Sequence, residues 1–312
     1  MTVSAPDPVV DTLFIVGIGL IGSSLALAAR SRGLARHVIL YDADSTVRSR
    51  ARALQLGDVV DDLAPAGTAD LIIICVPVGA SGAVAAALKP HVKPGAIISD
   101  VGSTKASVVA QIAPHIPEGV HFVPAHPIAG TENSGPDAGF ATLFTGRWAV
   151  ITPLPSSSPD AVATVKAFWR GCGADVSEMT PEHHDMVLAI TSHIPHLIAY
   201  NIVGTAAHLG EVTQSEVITY SAGGFRDFTR IAASDPNMWR DVFLHNRDAV
   251  LEMLGRFNED LSALTRAIRY NDGEALFDHF TRTRAIRRSI LAAGQDTEAV
   301  DFGRHGTVKK EQ

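Results

Sequence analysis

The stretch LFIVGIGLIGSSLALAAR, residues Leu13 to Arg30, decides the fold of this chain. It begins with an apolar run of strand length and turns through Gly17, Gly19 and Gly22. It continues as a segment rich in leucine and alanine, which is typical of a helix. A Gly-x-Gly-x-x-Gly turn between a strand and a helix is the fingerprint of a dinucleotide site, although any tight turn can use glycines. The pattern therefore predicts a nucleotide at this turn.

Each glycine of the turn has its own expected role. Gly17 permits the tight turn, Gly19 lets the backbone approach a pyrophosphate, and Gly22 lets the helix pack close to the strand. The free N–H groups at the helix start, around Leu20 and Ile21, would face the phosphates with the helix dipole behind them. These residues are the first part of the predicted cofactor site.

An acidic residue at the end of the next strand strengthens this prediction. The run His37–Tyr41 is followed by Asp42, twenty residues past Gly22, where an acid binds the ribose hydroxyls of the adenosine. A carboxylate there also repels a 2′-phosphate, and Asp44 adds a second negative charge. The sequence therefore favours NAD over NADP.

The order of the later segments predicts an α/β fold. The run Ala69–Val76 is apolar apart from Asp70, as in a parallel strand buried on both faces, Ala96–Val101 is predicted to be another buried strand, and helical segments separate the two. The pattern changes at Pro181, after which helical periodicity continues to Ala293 without a clear strand. We expect a Rossmann-type parallel-sheet domain at 1–180, an all-helical substrate and dimerisation domain at 181–295, and a polar tail at 296–312. Apolar faces in the helical half predict a homodimer.

Composition excludes several classes of protein. The chain has 312 residues and a net charge of −7, so it lacks the basic surface of a nucleic-acid-binding protein. Its first residues have no basic segment and no apolar core of a signal peptide, and no apolar run approaches the ~20 residues that cross a bilayer. The only cysteines, Cys75 and Cys172, fit reduced thiols. We therefore expect a cytoplasmic protein with no membrane or nucleic-acid partner.

Loops that follow the predicted strands hold the candidate reactive groups, because ligands of such sheets lie beyond the carboxyl ends of the strands. Val76 and Pro77 end one strand and are expected near the cofactor. His126 heads the loop HPIAGTE, where a neutral imidazole can act as a base next to the nicotinamide, although a surface histidine is the alternative. Ser103, on a neighbouring strand end, could bridge His126 and a substrate hydroxyl, and could also cap a helix.

Two motifs in the helical half suggest contacts with an anionic substrate. His193 and His196 stand around Pro195, and with no further ligand at metal spacing we expect polar contacts and no metal site. Arg226 and Arg230 lie one helical turn apart and could bind a carboxylate. The alternative is a solvated basic face on which the arginines pair with Asp227 and Asp235, but the apolar residues around the arginines argue against full exposure of that face.

Together these motifs resemble the prephenate and arogenate dehydrogenases of tyrosine biosynthesis, most closely the free-standing bacterial cyclohexadienyl dehydrogenases. The resemblance covers roughly residues 12 to 295, in order and in both predicted domains. The motifs are GIGLIGSSLA (17–26), DVGSTK (100–105), HPIAGTENSG (126–135), TSHIPH (191–196) and GGFRDFTRIAASDPNMW (223–239).

The resemblance implies an oxidative decarboxylation. NAD⁺ would take hydride from C4 of prephenate or arogenate, while the C4 hydroxyl loses a proton and the ring carboxylate leaves as CO₂. His126 would accept the proton, and Ser103 would link His126, the hydroxyl and the nicotinamide side. Arg230 would hold a substrate carboxylate, with His196 near it. The remaining residues that the resemblance places around the pocket are Ser192, His193, Thr131, Glu132, Arg226 and Trp239.

Several alternatives stay open at this point. A β-hydroxyacid dehydrogenase has a similar architecture but relies on a lysine in the helical half, and here that half has none before Lys309. A nucleotide-binding sensor would need no base. The choice between prephenate and arogenate is also open, and any inhibition by tyrosine would have to be competitive, because no separate regulatory domain is evident.

Overall fold

The structure is a computed structural model that describes residues 7–131, 133–208 and 223–292. It divides into two compact units, Met1–Leu197 with Ile231–Val250, and Ile198–Arg230 with Leu251–Gln312. The boundary expected at residue 180 stays a prediction, and the expected tail 296–312 lies outside the described residues.

The first unit contains the predicted parallel sheet. Its six strands have the order β3-β2-β1-β4-β5-β6, and every neighbouring pair is parallel. This is the doubly wound order of a dinucleotide-binding domain, so the predicted fold class is confirmed. The strands are β1 (Val10–Val16), β2 (Ala35–Tyr41), β3 (Asp58–Val59), β4 (Leu71–Ile74), β5 (Ile97–Asp100) and β6 (His121–Phe122).

Strand β1 is apolar from Leu13 to its end at Val16 because both faces of the sheet are covered there. Leu13 and Ile15 pack into the core on one face, while Phe14 and Val16 pack into the core on the other. The helices that cover the sheet are α1 (Leu20–Ser31), α2 (Ser45–Ala53), α3 (Ser81–Leu88), α4 (Ala106–Ile112) and α5 (Pro159–Gly171).

The strand register places the ligand-binding loops at one edge. Val16 pairs with Tyr41 on one side and with Ile74 on the other, and Ile74 pairs with Asp100. The segments that follow these four positions therefore leave the sheet side by side. They include Gly17, Asp42, Val76 and Ser103.

Three later strands form a second, separate sheet, which the sequence did not predict. It has the order β7-β8-β9, from β7 (Ala125–Pro127), β8 (Trp148–Ile151) and β9 (Asp175–Glu178), and β7 is antiparallel to β8. His126 is thus part of strand β7, opposite Val150, and does not lie in a loop. A strand of three residues is too short to produce a periodic apolar signal.

The helices of the second half begin at Pro181, as predicted. They are α6 (Pro181–Leu188), α7 (Ile194–Ala207), α8 (Gly223–Thr229), α9 (Pro236–His245), α10 (Arg247–Arg269) and α11 (Gly273–Ala292). A single π-helical turn, Ala189–His193, joins α6 to α7. No strand occurs after Pro181 within the described residues.

The continuous stretch Pro181–Ala207 is long and apolar enough, by length and composition alone, to span a bilayer. The expectation that no apolar segment reaches this length was therefore wrong. The stretch carries the buried polar residues His184, Asp185 and His193. Core helices of soluble proteins pass the same test, so the stretch by itself does not assign the chain to a membrane.

We predict that alanine substitutions at two glycines of the same turn differ strongly in their effect on stability. Gly17 has a φ of +98°, and an added Cβ would lie 2.4 Å from the carbonyl oxygen of Cys75, whereas a Cβ at Gly19 would meet nothing within 4 Å. Gly17→Ala should lower the free energy of unfolding by about 1–3 kcal/mol. Gly19→Ala, the matched control, should change it by less than about 0.5 kcal/mol.

Urea unfolding of both variants measures this difference. Equal stability of Gly17→Ala and the unmodified protein would contradict the close approach of the turn to β4.

Candidate active site

The turn after β1 presents unpaired backbone donors and open space. Helix α1 begins after Gly19 without a side-chain cap, so its first N–H groups are available to a ligand. Gly19 has room for an approaching group, whereas a Cβ at Gly22 would lie 1.9 Å from the carbonyl oxygen of Gly17. These features fit the pyrophosphate of a dinucleotide. The predicted cofactor residues around them, Leu20 and Ile21, are half-buried at the start of α1.

Asp42 is held against the glycine turn. One oxygen of its carboxylate accepts a hydrogen bond from Ile18 N at 2.8 Å, and the other accepts one from Asp44 N at 2.9 Å. Asp44 itself caps α2 by accepting from Thr46 N at 2.7 Å, so its carboxylate has a structural role. Asp42 therefore places a carboxylate beside the turn, as a ribose-binding acid requires.

A buried ion pair supports the ends of β5 and β7. Lys105 donates through Nζ to the Asp100 carboxylate and, at 2.6 Å, to the carbonyl oxygen of Ala125. Asp100 also accepts from Gly102 N at 2.7 Å. Burial lowers the pKa of Lys105, and the negative charge of Asp100 opposes this shift. The pair fixes the backbone next to His126.

His126 is buried, with 8% of its surface exposed. Its Nδ1 lies 2.8 Å from Nε2 of His184. Burial lowers the pKa of His126 well below the usual value, and repulsion from His184, Lys105 and His193 adds to the effect. The imidazole is therefore neutral near pH 7 and can accept a proton, which is the state that the sequence analysis required.

Asp185, on α6, contacts both His184 and the start of α4. Its carboxylate accepts hydrogen bonds from Lys105 N at 2.7 Å and Ala106 N at 2.9 Å. It also lies 2.8 Å from His184 Nδ1. The carboxylate thus caps α4 from about 80 positions further along the chain, so Ser103 is not the cap of this helix.

His193 is held by Asn246, the residue that follows α9. Asn246 donates through Nδ2 to the carbonyl oxygen of Asp185 at 2.8 Å, and the same nitrogen lies 3.1 Å from His193 Nδ1. Burial lowers the pKa of His193 to about 4. His193 is therefore neutral as well, and because its Nδ1 accepts from Asn246, its proton resides on Nε2.

His196 stacks on Trp239, with ring centroids 3.6 Å apart and an interplanar angle of 24°. His196 Nδ1 donates to the carbonyl oxygen of Ser192 at 2.9 Å, which fixes the ring orientation. Trp239 is buried and also meets the ring of His193 edge-on, at 6.0 Å. The structure thus brings four of the predicted substrate residues together in the first unit.

The remaining residues predicted for the first unit differ in burial. Ser103 is half-buried, and its hydroxyl forms no hydrogen bond to another described residue, so its link to His126 stays a prediction. Thr131 is exposed and accepts from Asn133 N at 3.2 Å. Val76 is half-buried and Pro77 exposed at the end of β4. Glu132 lies outside the described residues.

Arg226 and Arg230 lie in the second unit, on α8 and in the turn that follows it. Both are exposed in the single chain, and Phe228 between them is 41% exposed. Phe225, on the same helix, is half-buried, and the role of the two arginines stays a prediction. Asp235, offered as an ion partner, caps α9 by accepting from Asn237 N at 2.8 Å.

Comparison with known proteins identifies the family. Residues 25–178 match the nucleotide-binding domain of prephenate dehydrogenase, and residues 180–282 match its dimerization domain. The chain is 45% identical to a cyclohexadienyl dehydrogenase of Zymomonas mobilis, over 88% of this chain and 94% of that protein. It is 35% identical to a prephenate dehydrogenase of Bacillus subtilis, over 90% and 76% of the two chains.

The chain belongs to the prephenate dehydrogenase family. A crystal structure of the prephenate dehydrogenase from Aquifex aeolicus, in complex with hydroxyphenyl propionate and NAD⁺, superimposes with a TM-score of 0.83. The two sequences are 32% identical, and the superposition covers 90% of this chain and 98% of the Aquifex aeolicus chain. The predicted class of enzyme, a dehydrogenase of tyrosine biosynthesis that uses a nicotinamide dinucleotide, is thus confirmed.

His184, Asp185 and Asn246 are the site residues that the sequence analysis missed. Their partners lie between 53 and 80 positions away in the sequence, so no local pattern marks them. The one local signal is the adjacent pair His184-Asp185 on the first turns of a helix. A carboxylate that such a helix buries requires a partner for its charge. Within the described residues, no group of three or more histidine, cysteine or acidic side chains is arranged to hold a metal ion.

We predict that the buried ion pair between Lys105 and Asp100 makes a large contribution to the free energy of unfolding. Lys105→Met leaves Asp100 charged, buried and uncompensated, and should lower the free energy of unfolding by about 3–5 kcal/mol. The double variant with Asp100→Asn should recover part of the loss, because the unpaired charge is gone. Urea unfolding measures both, and a loss below about 1 kcal/mol in the single variant would contradict the pairing.

Proposed function

We propose that this member of the prephenate dehydrogenase family oxidatively decarboxylates both prephenate and arogenate, with NAD⁺ as the preferred acceptor and His126 as the base. The observation that carries the proposal is the buried, neutral imidazole of His126 beside the carboxyl edge of the dinucleotide-binding sheet. A neutral base is needed because the C4 hydroxyl of the substrate must lose its proton as the ring is oxidised.

The bound cofactor supplies the hydride acceptor. His126 holds the C4 hydroxyl and takes its proton, and the bond from the ring to its carboxylate breaks with loss of CO₂. The electrons of that bond make the ring aromatic, so the oxygen at C4 becomes a phenolate, which regains a proton. Ser103 orients the hydroxyl. The products are 4-hydroxyphenylpyruvate from prephenate and tyrosine from arogenate.

The residues proposed for the substrate carboxylates carry complementary groups. Arg230 would bind a carboxylate in a charge-assisted, bidentate contact, and the exposed guanidinium of Arg226 adds positive charge one turn earlier. Neutral His193 can donate through Nε2. The remaining pocket residues in this proposal are Ser192, His196, Thr131, Glu132 and Trp239.

The preference for NAD⁺ is argued from charge. Asp42 is held beside the glycine turn by two backbone donors. Its carboxylate would accept hydrogen bonds from the ribose hydroxyls and would repel the 2′-phosphate of NADP⁺. Gly17, Gly19, Gly22, Val76 and Pro77 would line the rest of the cofactor site.

Acceptance of both substrates is supported by the 45% identity to a protein named for the cyclohexadienyl ring that prephenate and arogenate share. We further propose that tyrosine, the product of arogenate oxidation, inhibits by competition in the same pocket. Cytoplasmic location is part of the proposal, as expected for an enzyme that uses a soluble nicotinamide cofactor.

The assembly proposed is a homodimer through the family's dimerization domain. Large apolar side chains are exposed on α10 and α11 in the single chain, among them Ile268 at 65% and Phe277 at 69%. Exposed apolar patches on a folded protein commonly mark an interface. The second copy would cover these helices.

An assay with four combinations tests the proposed function. Purified protein is given prephenate or arogenate, each with NAD⁺ or NADP⁺, and formation of the reduced cofactor is followed by absorbance. We expect turnover of both substrates and a higher kcat/KM for NAD⁺. Turnover of only one substrate would contradict the dual specificity, and a preference for NADP⁺ would contradict the role of Asp42.

We predict that His126→Asn lowers kcat by about 10²–10⁴-fold, because the amide cannot accept the proton. Binding of NAD⁺, measured by calorimetry on the same sample, should be nearly unchanged, because the glycine turn proposed to hold the pyrophosphate is left intact. A decrease in kcat of less than about tenfold would exclude His126 as the base.

A further inference from the structure

Three buried side chains form a continuous line of hydrogen bonds that ends at the proposed base. Asp185 contacts His184 Nδ1 at 2.8 Å, and His184 Nε2 contacts His126 Nδ1 at 2.8 Å. The exposed fractions are 4% for Asp185, 0% for His184 and 8% for His126. Water therefore has little access to these contacts, and each ring nitrogen in them must be satisfied by its neighbour.

The direction of each hydrogen bond follows from Asp185. Its carboxylate already accepts from Lys105 N and Ala106 N, so it also accepts from His184, which must carry its proton on Nδ1. Burial lowers the pKa of both His184 and His126, so each ring is neutral and carries one proton. His184 Nε2 therefore accepts, and His126 donates through Nδ1.

We propose that His184 and Asp185 are positioning residues that act on the base through this line: they hold His126 with its lone pair on Nε2, and His184 receives the Nδ1 proton when Nε2 takes the proton of the substrate. This inference rests on the proposed function. It adds a defined tautomer for His126 and a place for the charge that the base acquires.

The proton transfer balances without a further reactant. The O–H bond of the substrate breaks as the Nε2–H bond of His126 forms, and the Nδ1–H bond of His126 breaks as the Nε2–H bond of His184 forms. His184 is then an imidazolium next to the carboxylate of Asp185. The reverse movement returns the proton when the product phenolate forms.

The surrounding charges favour His184 over His126 as the carrier of the positive charge. Repulsion from Lys105 and His193 lowers the pKa of His126, and no acidic group raises it. His184 also faces Lys105, but Asp185 and Asp100 raise its pKa against the effect of burial. An imidazolium is thus better compensated at His184, one ring further from the substrate.

Two substitutions of His184 separate this role from a purely structural one, because both keep Asp185 and its cap on α4. In His184→Gln, the side-chain carbonyl can still accept from His126 Nδ1 but cannot take up a proton. In His184→Phe, the ring is kept and the acceptor is lost. His183→Phe, at the exposed neighbouring histidine, is the matched control.

The tautomer is measured by the ¹⁵N shifts of the histidine rings, with the His126 signals assigned by their loss in His126→Asn. We expect a protonated Nδ1 and an unprotonated Nε2 at His126 in the unmodified protein and in His184→Gln, and loss of this pattern in His184→Phe. A protonated Nε2 at His126 in the unmodified protein would overturn the proposal. This readout does not depend on turnover.

Kinetics test the proton transfer. We expect kcat to fall by about 10²-fold in His184→Phe, at the lower end of general-base effects, and by about tenfold in His184→Gln, with KM for NAD⁺ unchanged in both. The His183→Phe variant should match the unmodified protein. Unchanged kcat in His184→Gln would overturn the transfer to His184, and unchanged kcat in His184→Phe would overturn the whole proposal.

The outcomes also distinguish the two levels of inference. If the unmodified protein turns over neither prephenate nor arogenate, the proposed function fails, while the ¹⁵N shifts still decide whether Asp185 and His184 fix the tautomer of His126. If turnover is normal but the tautomer is the opposite one, the proposed function stands and the positioning role is excluded.

Discussion

The carboxylate of Asp185 is the contact on which the site depends, because it joins a helix of the second half of the chain to the parallel sheet of the first. It accepts the two free N–H groups at the start of α4, from Lys105 and Ala106, and the Nδ1 proton of His184. Helix starts leave such donors without partners, so the carboxylate satisfies a structural need of α4. The same oxygen atoms orient the ring that contacts His126. The same group therefore completes the start of α4 and, as proposed, fixes the tautomer of His126.

If His126 is the base, as proposed, the site must keep its imidazole neutral and still let it take a proton, and burial alone cannot meet both requirements. Removal from water disfavours an imidazolium at His126, and the neighbouring ammonium of Lys105 adds to the penalty. The carboxylate of Asp185 acts in the opposite direction one ring further along, because it raises the pKa of His184 against the effect of burial.

The sequence predicted the parts of the molecule that local patterns specify. The strand, glycine turn and helix around Gly17 were recognisable because a buried parallel strand is continuously apolar and the turn permits few residues. The placement of His126 in a three-residue antiparallel strand was not recognisable, because so short a strand shows no periodicity of apolar residues. The contacts of His126 with His184, and of Asp185 with α4, were hidden for another reason. They join positions 58 to 80 residues apart, and only the folded chain brings them together.

Asp185 also acts on a second imidazole, through its backbone. Its carbonyl oxygen accepts from Asn246, whose amide nitrogen contacts His193 Nδ1, so the proton of His193 resides on Nε2. His126 has the opposite tautomer, because its Nδ1 donates to His184 and its lone pair is therefore on Nε2. His193 lies close enough to lower the pKa of His126. A hydroxyl that must lose a proton needs an acceptor, and a carboxylate needs a donor. Two neutral histidines in opposite tautomers can supply both without placing a second charge beside the base.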